Sequence, residues 1–579
     1  MPTEVAAEIW GDRIRLDLGF DDKDHAMIVP GARWDREEHF VHVPLTYPAC
    51  KQLRGIFGDR LEIGDSLYKW ATAELQIRVM PCMNLRQATS LEDPPNLYDF
   101  LYPFQQAGAQ FLIEAGQAIL ADPMGAGKTV QAITAARAVE GIPALVICPA
   151  TMRKTWVKEI KKWWPGVPTY LVDGPKKKRS KIILDCLTNH GICVINWESV
   201  RLFSRLSPYG NMALSDEERR PKELNQIPWK LVIVDEAHRA KDPTSKQTRA
   251  VWNVCHMPTV LYRWALTGTP LTSTPETLYP ILHLLNPIEH PSKNAFIQRY
   301  CDSAPSQWGP GLEIFGLKEE TKEEFFEIFD PRFRRMPKEV VLPQLPPIQH
   351  IRKYVTMGIE QMQSYQDMAE EMVAEDKEGN LIIAVNPVSK LTRLIQYSSA
   401  SIHKLEDDVH LMVDPSCKLD ALMDDLPDYL GAGESVVVFA VHRKLIELAE
   451  ERLNEAKIPY AVIKGSQTAN FRQEQIDKFQ SKEVPVILVV IAAGGVGITL
   501  TASRIAIFLQ RPWSNVDHQQ AMGRIHRIGS EHHESVMYID YITEGTVENG
   551  QLDILEGKAE QLEAVVRDRE AIRKLLYGE

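Results

Sequence analysis

Ile-Leu-Ala-Asp-Pro-Met-Gly-Ala-Gly-Lys-Thr, residues 119–129, is the stretch around which the chain is organised. The apolar residues 118–121 predict a buried strand, and residues 129–139, rich in alanine and free of glycine and proline, predict a helix. A glycine loop between a strand and a helix lets backbone N–H groups converge on an anion at the helix N-terminus. Lys128 can then reach the β- and γ-phosphates of a nucleotide, and the Thr129 hydroxyl can bind Mg²⁺. The stretch therefore predicts a nucleotide site rather than a chance glycine turn.

The composition is that of an ordinary globular protein with several domains. The chain has 579 residues and a formal net charge of −12, with 44% hydrophobic and 25% charged residues. An acidic chain is not a simple basic nucleic-acid binder, so any such binding must use local basic patches. Its eight cysteines contain no Cys-x-x-Cys pair, which favours a reducing compartment and no zinc site.

Two stretches bear on export and membranes. The N-terminal Met-Pro-Thr-Glu-Val carries no signal-peptide pattern. Residues 484–503 contain no charged residue, but a proline and three glycines interrupt them. Two short elements around a glycine loop are therefore expected there instead of a membrane span, and no membrane partner is expected.

Residues 95–290 alternate apolar strands with helices, as in a parallel sheet. One apolar strand is followed directly by Asp-Glu-Ala-His, residues 235–238. Ligands of open α/β sheets bind beyond the carboxyl ends of the strands, where the phosphate loop also lies. Asp235 can hold Mg²⁺ while Glu236 orients the attacking water. Leu-Thr-Gly-Thr-Pro, residues 266–270, either senses the state of the phosphate or forms an ordinary turn.

The rest of the chain divides by pattern into four further regions. Residues 1–94 contain a predicted strand, hairpin and helix, and form either a small binding module or packing material. Residues 291–413 are predicted as a helical insert with an extended connector, and residues 414–550 as a second α/β lobe without a phosphate loop. Residues 551–579 are predicted as a C-terminal helical segment.

Two basic clusters are candidate contacts for phosphate. Arg524 and Arg527, three positions apart on a predicted helix, would face the same side. They could act as arginine fingers on the phosphates held by the first lobe, or form an exposed basic helix face. The run at 176–181, Lys-Lys-Lys-Arg-Ser-Lys, is interpreted as a basic surface loop, with a nuclear signal and a DNA contact as alternatives.

The ordered set of motifs resembles the Swi/Snf family of DNA translocases, which are helicase-like ATPases of superfamily two. The resemblance covers residues 95–565. The matching motifs are, in chain order, the adenine-sensing motif at 101–108, the phosphate loop at 122–129, the Mg²⁺ box at 235–238, the coupling motif at 266–270, the second-lobe glycine motif at 494–498 and the arginine-finger motif at 520–529.

The resemblance implies an α/β fold class with two RecA-like parallel-sheet lobes, a helical insert and a small N-terminal α+β module. ATP with Mg²⁺ would bind in a cleft between the lobes, and duplex DNA would lie across both. The implied catalytic residues are Lys128, Asp235, Glu236, Arg524 and Arg527. The implied nucleotide-binding residues are Gln105, Asp122, Met124, Gly125, Ala126, Gly127, Lys128, Thr129, Gly497 and Gln520, with Thr129 and Asp235 as metal ligands.

Departures from the family pattern are local. Asp122 stands where the longer phosphate-loop motif has a glycine, and Pro123 replaces the usual glutamate. Residues 490–492, Val-Ile-Ala, stand where Ser, Thr and a polar or basic residue are common, so a DNA contact by this stretch is not expected.

Within the family, residues 272–279 and the short second lobe most resemble the annealing-helicase, fork-remodelling branch. The Arg-Trp-Asp hairpin at 33–35, followed by a helix, resembles the HARP-type module of that branch. The resemblance implies a motor on double-stranded or branched DNA with a role in DNA repair at replication forks. A compact bacterial or phage enzyme fits the length and would be cytoplasmic, whereas a eukaryotic one would be nuclear. The alternatives are a DNA-binding regulatory module with ATP as an affinity switch, and an RNA-directed helicase.

Overall fold

A computed structural model describes residues 4–268, 275–305, 312–370, 373–375, 381–383, 387–404, 410–465, 467–494 and 498–549. The chain divides into two compact units, each described here by itself. Unit 1 runs to Val341, and unit 2 begins at Leu342. The segment 551–579, predicted as helical, lies outside the described residues.

Unit 1 begins with a five-stranded sheet and four helices. Its strands are β1 (Val5–Trp10), β2 (Arg13–Asp17), β3 (Arg33–Asp35), β4 (Phe40–Pro44) and β5 (Leu61–Ile63), and its helices are α1 (Lys23–Ala26), α2 (Tyr47–Phe57), α3 (Asp65–Glu74) and α4 (Met80–Gln87). The strand order is β3-β4-β2-β1-β5, and only the β1–β5 pair is parallel. The predicted hairpin and helix are present. Helix α2 begins where the Thr46 hydroxyl accepts the N–H of Ala49.

The second part of unit 1 is built on a seven-stranded sheet. Its strands are β6 (Gln117–Leu120), β7 (Ala144–Cys148), β8 (Thr169–Leu171), β9 (Ile192–Asn196), β10 (Leu231–Asp235), β11 (Tyr262–Leu266) and β14 (Phe333–Arg334), while β12 (Cys301–Pro305) and β13 (Leu312–Leu317) form a separate hairpin. The order is β14-β6-β11-β10-β7-β9-β8, and every neighbouring pair is parallel. The central strands are buried on both faces, as helices cover both sides of such sheets. All carboxyl ends therefore meet at one edge.

Helices complete unit 1. They are α5 (Pro103–Ala115), α6 (Lys128–Ala138), α7 (Arg153–Trp163), α8 (Lys176–Asn189), α9 (Trp197–Phe203), α10 (Asp216–Arg219), α11 (Lys246–Cys255), α12 (Tyr279–Leu285), α13 (Lys293–Tyr300), α14 (Glu319–Phe329) and α15 (Lys338–Val341). The prediction of a loop at 176–181 is wrong, because these residues form the first turns of α8. Lysine and arginine are good helix formers, and Pro175 at the N-cap starts the helix.

The connector predicted after residue 331 belongs to the sheet of unit 1. Strand β14 pairs with β6, with Phe333 opposite Ile119 and Arg334 opposite Leu120. A strand of two residues has no periodicity that a sequence pattern could reveal. The chain thus returns to the strand that precedes the phosphate loop just before unit 2 begins.

Helix α4 packs against α5 and β14, in the part of unit 1 that carries the phosphate loop. Cys82 lies in the same core as Tyr98. The Arg334 guanidinium is fully buried and donates to the carbonyls of Leu85 and Ala88. Arg86 also pairs with the buried Asp330 at 3.1 Å. The predicted module boundary at residue 94 therefore falls after a helix on which the following lobe depends.

Unit 2 is a second α/β unit. Its strands are β15 (Ile348–Val355), β16 (Val373–Glu375), β17 (Leu381–Ile383), β18 (Ser401–Lys404), β19 (His410–Val413), β20 (Val436–Ala440), β21 (Tyr460–Ile463), β22 (Val486–Val490), β23 (Ile505–Phe508) and β24 (Val536–Thr543). Its helices are α16 (Ile359–Glu370), α17 (Pro387–Ser399), α18 (Cys417–Gly431), α19 (Arg443–Glu455), α20 (Ala469–Gln480), α21 (Ile491–Gly494) and α22 (Asn515–Met522). The main sheet is parallel, in the order β15-β24-β23-β20-β22-β21. Two parallel sheets in one chain confirm the predicted α/β fold class with two RecA-like lobes.

Candidate functional site

The loop between β6 and α6 has the backbone of a phosphate cradle. Gly125 and Gly127 adopt left-handed φ angles of 84° and 78°, which favour glycine. Gly127 is the N-cap of α6, and a Cβ there would lie 2.4 Å from the Nε2 of Gln105. A side chain at position 127 would therefore collide with the Gln105 amide, so the loop needs glycine there. The N–H groups at the start of α6 are donors of the kind that bind an anion.

Lys128 sits at the start of α6 with its ammonium folded over the loop. Its Nζ donates to the carbonyls of Asp122 at 2.7 Å and Pro123 at 3.2 Å. Burial lowers the pKa of Lys128 from its ordinary value, and the carboxylates of Glu236, Asp122 and Asp235 oppose that shift. The lysine charge thus lies between the loop and the carboxylates of Asp235 and Glu236, which form the acidic box.

Two predicted nucleotide contacts, Gln105 and Asp122, hold the loop itself in this structure. The Asp122 carboxylate is fully buried and accepts the Gln131 amide and the backbone N–H of Met336, both at 3.2 Å. The Gln105 amide donates to the Ala126 carbonyl at 2.9 Å. These two side chains stabilise the loop from behind. Met124, Gly125, Ala126, Gly127 and Thr129 lie on the loop or the first turn of α6.

Asp235 ends strand β10 and is held by two tryptophans. The Trp156 indole N–H donates to the Asp235 carboxylate at 2.9 Å, and the Trp197 indole N–H donates to its backbone carbonyl at 2.9 Å. The other carboxylate oxygen accepts the backbone N–H of Glu236 at 3.0 Å. Burial and the neighbouring Glu236 charge raise the pKa of Asp235 above its ordinary range. A cation bound at the Asp235 carboxylate would offset both the burial of its charge and the repulsion from Glu236.

Glu236 adopts a left-handed φ of 52°, which turns the chain sharply after the strand. Its carboxylate lies 3.3 Å from the Nδ1 of His238, and the same nitrogen lies 3.0 Å from the hydroxyl of Thr267. Thr267 is fully buried, and its N–H donates to the carbonyl of Leu120. The acidic box therefore contacts the coupling motif directly, which favours the phosphate-sensing interpretation of 266–270 over an ordinary turn. Residues 269 and 270 of that motif lie outside the described residues.

Arg335 is a site residue that sequence reasoning missed. Its Nη1 donates to the carbonyl of Gly268 at 3.1 Å, and its positive charge acts to lower the pKa of Lys128. A Cβ added to Gly268 would come within 3.6 Å of the Lys128 Nζ, so the arginine and lysine charges share one small region. Two neighbouring cations favour an anionic ligand. Nothing in the sequence pattern connects residue 335 to the phosphate loop, because only the pairing of β14 with β6 brings it there.

These residues fit a magnesium nucleotide. The glycine cradle, Lys128 and Arg335 suit a polyphosphate, and the buried Asp235 carboxylate supplies hard oxygen ligands of the kind Mg²⁺ prefers. Among the described residues, no group of three or more His, Cys, Asp or Glu side chains is arranged to hold a metal by itself. Mg²⁺ sites of this kind are completed by phosphate oxygens and water.

The predicted arginine motif lies in unit 2, and its helical prediction is wrong. Helix α22 ends at Met522, so Arg524 and Arg527 lie on the following turn instead of sharing a helix face. The chain turns back after Gly523, and the Arg524 carbonyl accepts the Leu500 N–H at 2.9 Å. Arg524 is only 8% exposed, and Arg527 donates to the Ile498 carbonyl at 3.1 Å.

Two further residues of unit 2, Gln520 and Gly497, are predicted to bind the nucleotide. Gln520 lies on α22 and is buried. Gly497, with residues 495 and 496 of the glycine motif, lies outside the described residues. All eight cysteines are free thiols.

In the part of the chain that the structure describes, no helix is long and apolar enough to cross a bilayer.

A parallel sheet with a glycine loop, a lysine at the following helix and paired carboxylates at the end of another strand of that sheet defines a phosphate-binding α/β protein of the P-loop class. The SNF2-related domain matches residues 104–401, about half of the chain, and the helicase conserved C-terminal domain matches residues 417–529. The chain belongs to the SNF2-related family.

Relatives of this chain include much longer proteins. Chromodomain-helicase-DNA-binding protein 8 of Rattus norvegicus is 29% identical over 466 residues, covering 75% of this chain but 17% of that protein. The chain thus spans less than a fifth of the length of this relative. The SWI/SNF-related matrix-associated actin-dependent regulator of chromatin subfamily A-like protein 1 homolog of Caenorhabditis elegans is 24% identical over 604 residues, covering 99% of this chain and 78% of that protein. A solved Sulfolobus solfataricus SWI2/SNF2 ATPase core in complex with dsDNA matches with 24% identity and a TM-score of 0.38, over 84% of this chain and 99% of that one.

Proposed function

We propose that this protein is a DNA-dependent ATPase that moves along double-stranded DNA. The observation that carries the proposal is the convergence of Lys128, Asp235 and Glu236 at one edge of the unit 1 sheet, with His238 bridging to the coupling motif. Such an arrangement suits phosphoryl transfer, where positioning and electrostatic stabilisation supply most of the catalysis. Membership of the SNF2-related family supports DNA as the polymer that stimulates hydrolysis.

Each site residue has a proposed role. Lys128 binds the β- and γ-phosphates, Thr129 and Asp235 hold Mg²⁺, and Glu236 orients the attacking water. When bound, Mg²⁺ neutralises charge on the phosphate oxygens. The loop residues Met124, Gly125, Ala126 and Gly127 present backbone N–H groups, while Gln105 and Asp122 fix the loop. From unit 2, Arg524 and Arg527 stabilise charge that develops in the transition state, and Gln520 and Gly497 support nucleotide binding.

We further propose that the motor acts on forked or branched DNA, remodelling the fork or annealing its strands. The N-terminal sheet presents an exposed aromatic and basic surface that suits base stacking and phosphate contact. Phe20 is 82% exposed, and the Lys23 ammonium lies 5.7 Å from its ring and 4.3 Å from the half-buried Trp34 ring. Arg33 and Arg36, which lie close to Trp34 in the chain, are exposed. The Caenorhabditis elegans relative aligns over nearly the whole chain, this module included, which supports a branch sharing it.

Duplex DNA is expected to raise ATP hydrolysis at least tenfold, and single-stranded DNA and RNA are expected to raise it less. Because an acidic chain must bind through a few basic patches, counterion release should dominate, and affinity should fall roughly a hundredfold or more between about 50 and 200 mM salt. Steady-state ATPase assays with each polymer at several salt concentrations measure both effects. Equal rates with and without DNA at low salt would overturn the motor proposal, and stronger stimulation by RNA would favour the RNA-directed alternative.

Two truncated proteins test the role of the N-terminal module. A protein beginning at Met80 keeps α4 and is expected to retain ATP binding and stimulation by linear duplex while losing its preference for forked DNA. A protein beginning at Leu97 also loses the carbonyls that bind Arg334 and the Arg86 partner of Asp330. Breaking a buried ion pair from one side costs about 3–5 kcal/mol, so this protein should melt several degrees lower and bind ATP weakly.

Thermal unfolding, nucleotide binding and ATPase assays on forked against linear duplex compare both truncated proteins with the full chain. An unchanged fork preference in the protein beginning at Met80 would remove the directing role of the module. Equal stability of the two truncated proteins would contradict the structural role of α4.

A further inference from the structure

We propose that Trp156 is a positioning residue that links the basic outer face of α7 to the Asp235 carboxylate, so that DNA bound on that face orients the carboxylate for Mg²⁺. The inference rests on the proposed function, because it needs duplex DNA as the ligand of α7. Trp156 is the side chain through which a DNA contact on α7 reaches the nucleotide site.

Helix α7 carries two opposite faces. Trp156 and Ile160 are fully buried on its inner face. Lys154, Lys158, Lys161 and Lys162 are exposed on the outer side. Lysines at this spacing suit successive phosphates of a nucleic-acid backbone, since ammonium groups on flexible stems bind phosphate without a fixed geometry.

Helix α7 is tied to its surroundings at both ends. Near its start, the Arg153 guanidinium donates to the Val172 carbonyl at 2.7 Å and to the Asp173 carboxylate at 3.3 Å. At its end, the Trp163 ring stacks on Phe100 with centroids 4.7 Å apart, and the Lys162 ammonium lies 4.0 Å from the Trp163 ring. A contact on the outer face therefore acts on a helix that is held at both ends, and steadies the Trp156 indole that the helix carries.

The inner end of the link is a direct hydrogen bond. The Trp156 indole N–H donates to one Asp235 carboxylate oxygen at 2.9 Å, while the other oxygen accepts the Glu236 N–H. The first donor comes from a different element, and the second from the residue next in the chain. The position of the Trp156 N–H therefore bears on the orientation of the carboxylate and not on the place of strand β10. The strand end is held separately, because the Trp197 indole donates to the Asp235 backbone carbonyl.

Trp156→Phe in the full chain tests the link, because it removes one N–H and keeps most of the buried ring. We expect stimulation by duplex DNA to fall about tenfold, with DNA affinity little changed. Calorimetry with a non-hydrolysable ATP analogue should show that DNA lowers the Mg²⁺ concentration needed for binding in the parent protein and no longer does so in the variant. Trp197→Phe is the matched control: it loses an equivalent bond to the same residue, but to its backbone, and should keep the effect of DNA on Mg²⁺.

Thermal unfolding shows whether Trp156→Phe folds, and a second variant at the same position tests the link if it does not. Trp156→His keeps a ring N–H and should retain part of the DNA effect on Mg²⁺. Replacing the three lysines Lys154, Lys158 and Lys161 by glutamine, all exposed, should remove the DNA effect on Mg²⁺ from the other end of the link.

The possible failures are distinguishable. A parent protein that duplex DNA does not stimulate would overturn the proposed function. If duplex DNA stimulates the parent protein but the Trp156→Phe and Trp197→Phe variants respond alike to DNA and Mg²⁺, the proposed role of Trp156 is wrong and the proposed function stands. Glutamine variants that keep the Mg²⁺ effect would also overturn it.

Discussion

Glu236→Gln is expected to lower ATP hydrolysis by about a thousandfold while ATP still binds, because a positioned general base contributes roughly 10²–10⁴-fold. The substitution keeps the shape of the side chain and its place beside His238. It removes the negative charge that orients and polarises the attacking water. The left-handed backbone at this residue is already occupied by a non-glycine side chain, so glutamine adds no new strain. Single-turnover hydrolysis and equilibrium binding of ATP separate the two effects.

Glu140→Gln is a matched control. Glu140 is another glutamate of unit 1 with a left-handed φ, 47°, but it lies exposed beyond the end of α6. Its replacement should leave both hydrolysis and binding unchanged. If Glu236→Gln hydrolyses ATP at the parent rate, the assignment of Glu236 is wrong, and if it fails to bind ATP, the residue is needed for binding rather than for turnover.

Arg527→Ala and Arg524→Ala are each expected to reduce DNA-stimulated hydrolysis by about a thousandfold, since an arginine finger is worth 10³–10⁵ in rate. Binding of ATP to the parent and variant proteins should be similar, because these charges contribute in the transition state rather than in the ground state. Arg524 is nearly buried in unit 2, so its truncation could also disturb the turn. Arg524→Lys keeps the charge and the stem, and it should fold normally yet remain slow, since a point charge does not replace the planar fork.

The control for the arginines is Arg443→Ala, at an exposed arginine that pairs with Glu447 on the surface of α19. Exposed pairs of this kind contribute little, so its activity and stability should match those of the parent. Rates measured with saturating DNA, beside thermal unfolding of each variant, complete the comparison. A variant that loses ATP binding but keeps its turnover would reverse the assignment of both arginines.

The sequence by itself determined the local parts of this protein. The glycine loop, the apolar strands and their helices follow from patterns only a few residues long, and β6, α6, β10 and α2 appear where those patterns predict them. Lys128 could be predicted because it follows the glycine loop after strand β6, and Asp235 and Glu236 because they stand at the end of strand β10. Parallel strands bring such ends to one edge of the sheet.

Only the tertiary structure decided the features that depend on contacts between distant segments. Arg335 reaches the phosphate loop through a two-residue strand, too short to carry a pattern. The sequence places Trp156 on a predicted helix. The hydrogen bond that its indole N–H donates to Asp235 depends on how α7 packs on the sheet. A turn carries Arg524 and Arg527 in place of the predicted helix, and the Arg524 carbonyl accepts the N–H of Leu500, 24 residues earlier in the chain. A local sequence pattern cannot reveal the bond to Leu500, because that bond joins two segments that are distant in the chain.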